Sequence, residues 1–133
     1  AIIDFCIAQG VSPEQIVIGA AFYGRSWKGV SPMNNGLYQP TKGAWKSAIV
    51  YRDIAENYVD KAGFKRYWDE AAKAPYLYNA TDSLFITYDD PQSLELKTAY
   101  VREHQLGGIM FWQLSQDTET GELLNAIKKA AEN

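Results

Sequence analysis

LGGIMFWQLSQD, residues 106–117, is the stretch whose reading decides the fold. It leaves a Gly-Gly start, runs apolar from Ile109 to Trp112, and then turns polar. Side chains alternate across a strand, so Met110 and Trp112 share one face while Ile109 and Phe111 share the other. A strand apolar on both faces suits a sheet covered on both sides, usually a parallel sheet flanked by helices. A second run, IVIGAAFYGR at 16–25, has the same apolar start and polar end. Its parity sets Tyr23 and Arg25 on one face beside the small Gly19 and Ala21. Ligands of parallel α/β proteins bind at the carboxyl ends of the strands. That rule gathers Tyr23, Arg25, Met110 and Trp112 into one candidate site.

Working outward, Ile2, Ile3, Cys6 and Ile7 recur at helical spacing over 1–9, and Gly10 is the natural stop. That spacing predicts a chain that opens in mid-helix, as an excised segment would. Ser12-Pro13-Glu14-Gln15 reads as a one-turn capping box leading into the first strand. Residues 26–41 then gather Gly, Ser, Pro and Asn and predict a loop. A short strand at 48–51, a helix over 52–59 and strands at 63–68, 74–79 and 84–88 follow. The last two are joined by a hairpin at 80–83. This antiparallel-style unit interrupts a parallel-style chain and would form one wall of a cleft. Asp90-Pro91 starts a helix with Leu94, Leu96, Tyr100 and Val101 on its buried side and Gly107 at its end. Asp117 or Thr118 caps a last helix striped by Leu123, Leu124, Ile127, Ala130 and Ala131. Two parallel strands and their crossover cannot bury both faces, so periodicity predicts an incomplete α/β sheet or barrel.

At 133 residues the chain fits one domain, and its net charge of −3 with no basic run argues against nucleic-acid binding. No apolar run approaches the roughly 20 residues of a membrane span. The single cysteine, Cys6, excludes an internal disulfide and a cysteine-based metal cluster, and reads as helix packing. No Gly-rich phosphate loop, Ser-His-Asp arrangement or metal-ligand spacing occurs, so no cofactor is expected. The aromatic share of 14%, with an acidic balance, favours a neutral ring-shaped ligand over an anionic one. His104 falls in the last turn of its helix, where a partial charge suits the helix dipole. Asp89 and Asp90 are tempting as an acid/base pair, but Asp90 already has a capping task. Asn79-Ala80-Thr81 matches the N-glycosylation pattern, which matters only in a eukaryotic secretory setting.

IVIGAAFYGRSW (16–27), ITYDDPQSLELKTAYV (86–101) and LGGIMFWQLSQD (106–117), in this order and spacing, resemble the C-terminal part of family 18 glycoside hydrolases. YWDEAAKAPYLYN (67–79) resembles the chitinase insertion domain, and the likeness covers essentially the whole chain. The resemblance implies an α/β fold: the C-terminal segment of a TIM (β/α)8 barrel, its last two strands and helices, with an inserted α+β subdomain. Residues 1–25 and 87–133 would be barrel and 26–86 the insertion. It implies cleavage of β-1,4-linked N-acetylglucosamine polymers with retention, using the substrate's own acetamido oxygen as nucleophile rather than a second carboxylate. It also implies a secreted or cell-envelope setting. Trp112 matches the tryptophan beneath the sugar at the cleavage point, and Met110 the neighbouring wall. Tyr23 and Arg25 match polar residues near the cleft, and Asp69 an acidic residue reaching the sugar from above.

The family's catalytic sequence, D-x-x-D-x-D-x-E, has no match among the 133 residues, nor does its M-x-Y-D pattern. No catalytic residue is therefore assigned here, and chemistry would need an N-terminal part. Plainer explanations stand beside the site residues. Met110 and Trp112 could be barrel filler, and Arg25 could pair with Asp89, Asp90 or Asp117. Three readings follow: part of a chitinase-type hydrolase binding chitin oligosaccharides, a non-hydrolytic lectin of the same family, or a self-standing α+β binding domain. Uncovered apolar sheet faces also predict self-association or a missing N-terminal barrel half as partner.

Overall fold

The computed structural model describes residues 2–132. Helix α1 (Ile2–Ala8) is followed by Gly10 at positive φ, and a short 3-10 turn at Pro13–Gln15 leads into β1 (Val17–Ala21). Strand β2 (Tyr23–Lys28) follows after one residue. Then come β3 (Ile49–Val50), α2 (Tyr51–Asn57), β4 (Lys65–Asp69), β5 (Ala74–Asn79) and β6 (Leu84–Thr87). The chain closes with α3 (Pro91–Glu103), β7 (Gly108–Trp112) and α4 (Glu122–Glu132).

These strands make two sheets. β1 and β7 pair in parallel, with Gly19 opposite Met110 and Ala21 opposite Trp112. The other five form an antiparallel sheet in the order β3-β2-β6-β5-β4. The strand predicted at 16–25 is thus two strands, broken at Phe22. The break is a change of bonding partners: the Phe22 N–H donates to Trp112 O at 2.9 Å, and its carbonyl accepts from Tyr51 N at 2.9 Å. Phe22 is fully buried and stacks on Phe111 at 4.8 Å. It belongs to one core that runs from Leu94, Leu123 and Ile127 under the helices to Leu77 and Ile86 under the antiparallel sheet.

Helix α3 starts as its sequence dictates. Asp90 Oδ1 accepts from Ser93 N at 3.0 Å, and Ser93 Oγ accepts from Asp90 N at 3.0 Å, with Pro91 at the first position. Gly107 is not the stop of this helix, which ends at Glu103 with Gln105 in the left-handed region. Gly107 instead lets the chain cross the 13–16 turn: a Cβ there would lie 2.3 Å from Glu14 O. His104 stacks on Tyr100 and its Nδ1 lies 3.0 Å from the Tyr100 carbonyl, a structural end to α3. Asp117 caps α4 from outside, its carboxylate accepting from the backbone N–H groups of Leu123 and Leu124 at 3.1 and 2.9 Å. The glycosylation pattern is closed off, because Asn79 is buried and its Nδ2 donates to Ala62 O and Asp82.

Candidate functional site

The parallel pair has one covered and one open face. Ile109, Phe111 and Ala20 pack toward the helices. Met110 and Trp112 point the other way and are 48% and 60% exposed. Across the pair, Met110 lies over Gly19, whose missing Cβ would sit 3.7 Å from the methionine sulfur. A glycine and an alanine opposite two large side chains leave the indole and thioether free above the sheet. Packing against the described residues therefore does not account for Met110 and Trp112.

Tyr23 and Arg25 sit just past the C-terminal end of β1, on the antiparallel sheet rather than on the parallel pair. They line a groove of about 300 Å³ with Ala21, Thr87, Tyr88, Asp89 and Lys97. Ala21 joins the two halves, since it lines this groove and pairs with Trp112. Arg25 is exposed and has no ion-pair partner among the described residues. The three carboxylates considered for it are engaged elsewhere. Asp89 accepts from Lys97 Nζ at 2.6 Å and Ser93 Oγ at 2.8 Å. Asp90 accepts from Arg66 Nη2 at 2.6 Å, and Asp117 holds α4. Those engagements also remove Asp89 and Asp90 as a free acid/base pair.

Asp69 ends β4 on the same sheet face as Arg25. The cross-strand row Arg25–Thr87–Tyr76–Tyr67 fixes that face, and Asp69 is two residues beyond Tyr67. It borders an adjoining groove of about 310 Å³ with Trp27, Tyr38, Tyr76 and Phe85. The two grooves share Ala74 and Thr87. The Asp69 carboxyl is held below the usual range, first by the Tyr38 hydroxyl and then by the Ala72 and Ala71 amides. Glu70 is also pushed down, by Lys73. A general acid at neutral pH needs the opposite shift. Burial pushes the phenols of Tyr51 and Tyr88 far up, so both stay neutral hydrogen-bonding groups. Among the described residues no three His, Cys, Asp or Glu side chains are grouped to hold a metal ion.

Glycosyl hydrolases family 18 matches residues 1–117. The chain belongs to that family. It is 45% identical over 114 residues to Chitinase A1 of Niallia circulans, a match covering 81% of this chain and 16% of that protein. A family 18 N-acetylglucosaminidase from Paenibacillus barengoltzii superposes with a TM-score of 0.87 at 43% identity, over 96% of this chain and 37% of that one. A class V chitinase mutant from Cycas revoluta, solved in complex with (GlcNAc)3, gives a TM-score of 0.82 at 30% identity, over 96% and 37%. The chain thus spans well under half the length of each. Its fold is a partial family 18 TIM barrel with an inserted α+β subdomain.

Sequence reasoning missed Tyr38, Trp27 and Thr87 at the site. Trp27 had a signal, because it shares parity with Tyr23 and Arg25. Tyr38 had only the weaker one of a large ring inside a Gly, Pro and Asn loop.

Proposed function

We propose that this chain supplies the C-terminal walls of a sugar-binding cleft in a family 18 hydrolase acting on β-1,4-linked N-acetylglucosamine polymers. The observation that carries it is the open sheet face of Met110 and Trp112 beside the Arg25 groove. An indole over a strip of small residues offers a flat apolar floor to the C–H face of a pyranose. Tyr23 and the unpaired Arg25 offer donors to hydroxyl and acetamide oxygens along the edge of that floor. Asp69 joins as part of the far wall. The substrate-assisted mechanism needs a sugar held and distorted over such a floor, while the acid comes from outside these 133 residues. Residues 1–25 and 87–133 serve as the barrel portion and 26–86 as the insertion, with Tyr23 to Arg25 already paired into the insertion's sheet.

The test is calorimetric titration of chitin oligosaccharides into the chain, alongside a chromogenic chitobioside assay. Binding without turnover is expected. Trp112→Ala should weaken binding by about 1–3 kcal/mol, the scale for one stacked aromatic. Unchanged binding would return Trp112 to barrel filler, and turnover by the pure chain would overturn the assignment of the acid elsewhere. A complete parent that binds but never cleaves would be the lectin.

A further inference from the structure

The loop after β2 lies over the sheet face that carries Arg25. Its Val30 and Leu37 pack on Tyr76 and Tyr78. Gly36 permits the approach, since a Cβ there would lie 2.5 Å from the Tyr78 ring and φ is +81°. Tyr38 follows at φ +59°, a backbone region that bulky residues rarely occupy. The residue is 74% exposed. Its hydroxyl nevertheless points inward and donates to Asp69 Oδ2. The other oxygen, Asp69 Oδ1, accepts from the N–H groups of Ala71 and Ala72 at 3.0 and 3.2 Å.

These bonds distribute the roles. Asp69 is buried and both its oxygens are bonded within the chain, so little of it remains for a ligand. Tyr38 is the reverse, with its polar end fixed and its ring free. A ring held at its hydroxyl and carried on a seated loop has lost its mobility before any ligand arrives. Such pre-organised tyrosines give contact area at low entropic cost. The groove beside it shares Ala74 and Thr87 with the Arg25 groove, so an extended chain can run from one to the other. The bond also lowers the Asp69 carboxyl and raises the Tyr38 phenol, which keeps acceptor ionised and donor neutral across the neutral range.

We infer that Tyr38 is the sugar-contacting residue at this end of the cleft, a platform for an N-acetylhexosamine unit beyond the one over Trp112, and that Asp69 is its positioning residue. The inference rests on the sugar-cleft reading above and gives Asp69 a part that acts through Tyr38.

The test titrates the chain with the β-1,4-linked N-acetylglucosamine disaccharide and pentasaccharide, with loop seating followed by the Val30 methyl resonances. Tyr38→Ala should lower pentasaccharide affinity about fivefold to tenfold, as for loss of one aromatic contact, and leave the disaccharide within about twofold. Tyr38→Phe keeps the ring but removes the same bond, so it should weaken pentasaccharide binding about as much as Asp69→Ala does, by less than Tyr38→Ala, and leave the disaccharide within about twofold. Trp112→Ala should weaken both. Asp69→Ala should weaken pentasaccharide binding in the wild-type background and add nothing in the Tyr38→Ala background. A pentasaccharide affinity untouched by Tyr38→Ala would overturn the inference alone. So would an Asp69→Ala loss of equal size in both backgrounds, which would make Asp69 the direct contact. If the unaltered chain binds neither oligosaccharide, the cleft reading itself fails and this inference falls with it.

Discussion

Asp117→Asn tests the carboxylate that holds the start of α4. Asp117 is buried, and its carboxylate accepts three backbone N–H groups: Thr118 at 2.8 Å, Leu123 at 3.1 Å and Leu124 at 2.9 Å. An amide keeps one acceptor oxygen and turns the other into a donor facing a donor. At least one N–H at the start of α4 then loses its partner beside the fully buried Leu123. A hydrogen bond to a charged group contributes about 1.5–3 kcal/mol, and the lost charge at a helix N-terminus about 0.3–1 kcal/mol more. The expected loss is about 2–4 kcal/mol, a large part of the roughly 5–15 kcal/mol that holds a domain together. In a chain of this size that lowers the melting temperature by roughly 6–20 °C. Urea unfolding followed by tryptophan fluorescence reads it. Glu119→Gln is the control, because it removes an exposed charge near the same helix end without touching those bonds. If Asp117→Asn falls within about 0.5 kcal/mol of Glu119→Gln, the capping argument is wrong and only the helix dipole is at work.

Neighbouring positions of β7 should behave oppositely. Phe111→Ala, which removes the ring stacked on Phe22, should cost about 3–5 kcal/mol in the same unfolding assay. Trp112→Ala, on the open face, should cost under about 1 kcal/mol; equal losses would mean the face assignment is inverted. The Tyr38–Asp69 bond sets a pH window. The depressed Asp69 value makes its contribution complete above the ordinary aspartate value of 3.8 and lost as pH falls through the lower folded value. The raised Tyr38 value makes its contribution complete below 10.0 and lost as pH rises through the higher folded value. Loop resonances in an NMR titration should hold steady between, and Tyr38→Phe should abolish the alkaline transition and weaken the acidic one, since Asp69 keeps its Ala71 and Ala72 bonds; a loop that detaches near neutrality would count against the bond. The open face of β1 and β7 should drive self-association, visible in sedimentation. A monodisperse monomer with a sharp cooperative melt would contradict that.

Element type was legible in the sequence wherever period and punctuation agreed. Asp90-Pro91, Ser12-Pro13 and the 80–83 hairpin appear where turn and cap chemistry placed them. Phe22 was not legible as a break, since AAFYGR is unbroken apolar-to-polar sequence with no Gly or Pro at the joint. What divides it is a change of hydrogen-bond partners supplied from residues 51 and 112, and no local pattern encodes that. Periodicity alone did not choose between the two faces of β7; the family resemblance put Met110 and Trp112 on the ligand side. Ile109–Phe111 and Met110–Trp112 are both apolar, and only the position of α3 and α4 decides which pair is buried. Gly107 misled for a related reason: it follows a helix, as a stop would, yet what requires it is the passing backbone of Glu14. Tyr38 was lost in a loop whose composition speaks only of turns, because its partner Asp69 lies 31 residues away.

Those losses meet at the joint between the two walls of the site. Trp112 stands on the parallel pair and Arg25 on the antiparallel sheet, so their spacing depends on how one sheet is set against the other. A flexible linker there would leave a sugar bound to either wall free to drift from the other. The chain uses a single residue instead, with its N–H bonded into the first sheet, its carbonyl to the start of α2 just after β3 of the second, and its ring stacked on Phe111 at an interplanar angle of 9°. Tight packing transmits displacement rather than absorbing it. A cavity cut at Phe22 or Phe111 should therefore change how the two walls register, even though neither ring faces the cleft. By the same reasoning the open face and the grooves are backed by one packed core. Residues that never touch a ligand, Asp117 and Phe111 among them, then set the geometry in which Trp112, Arg25 and Tyr38 would meet one.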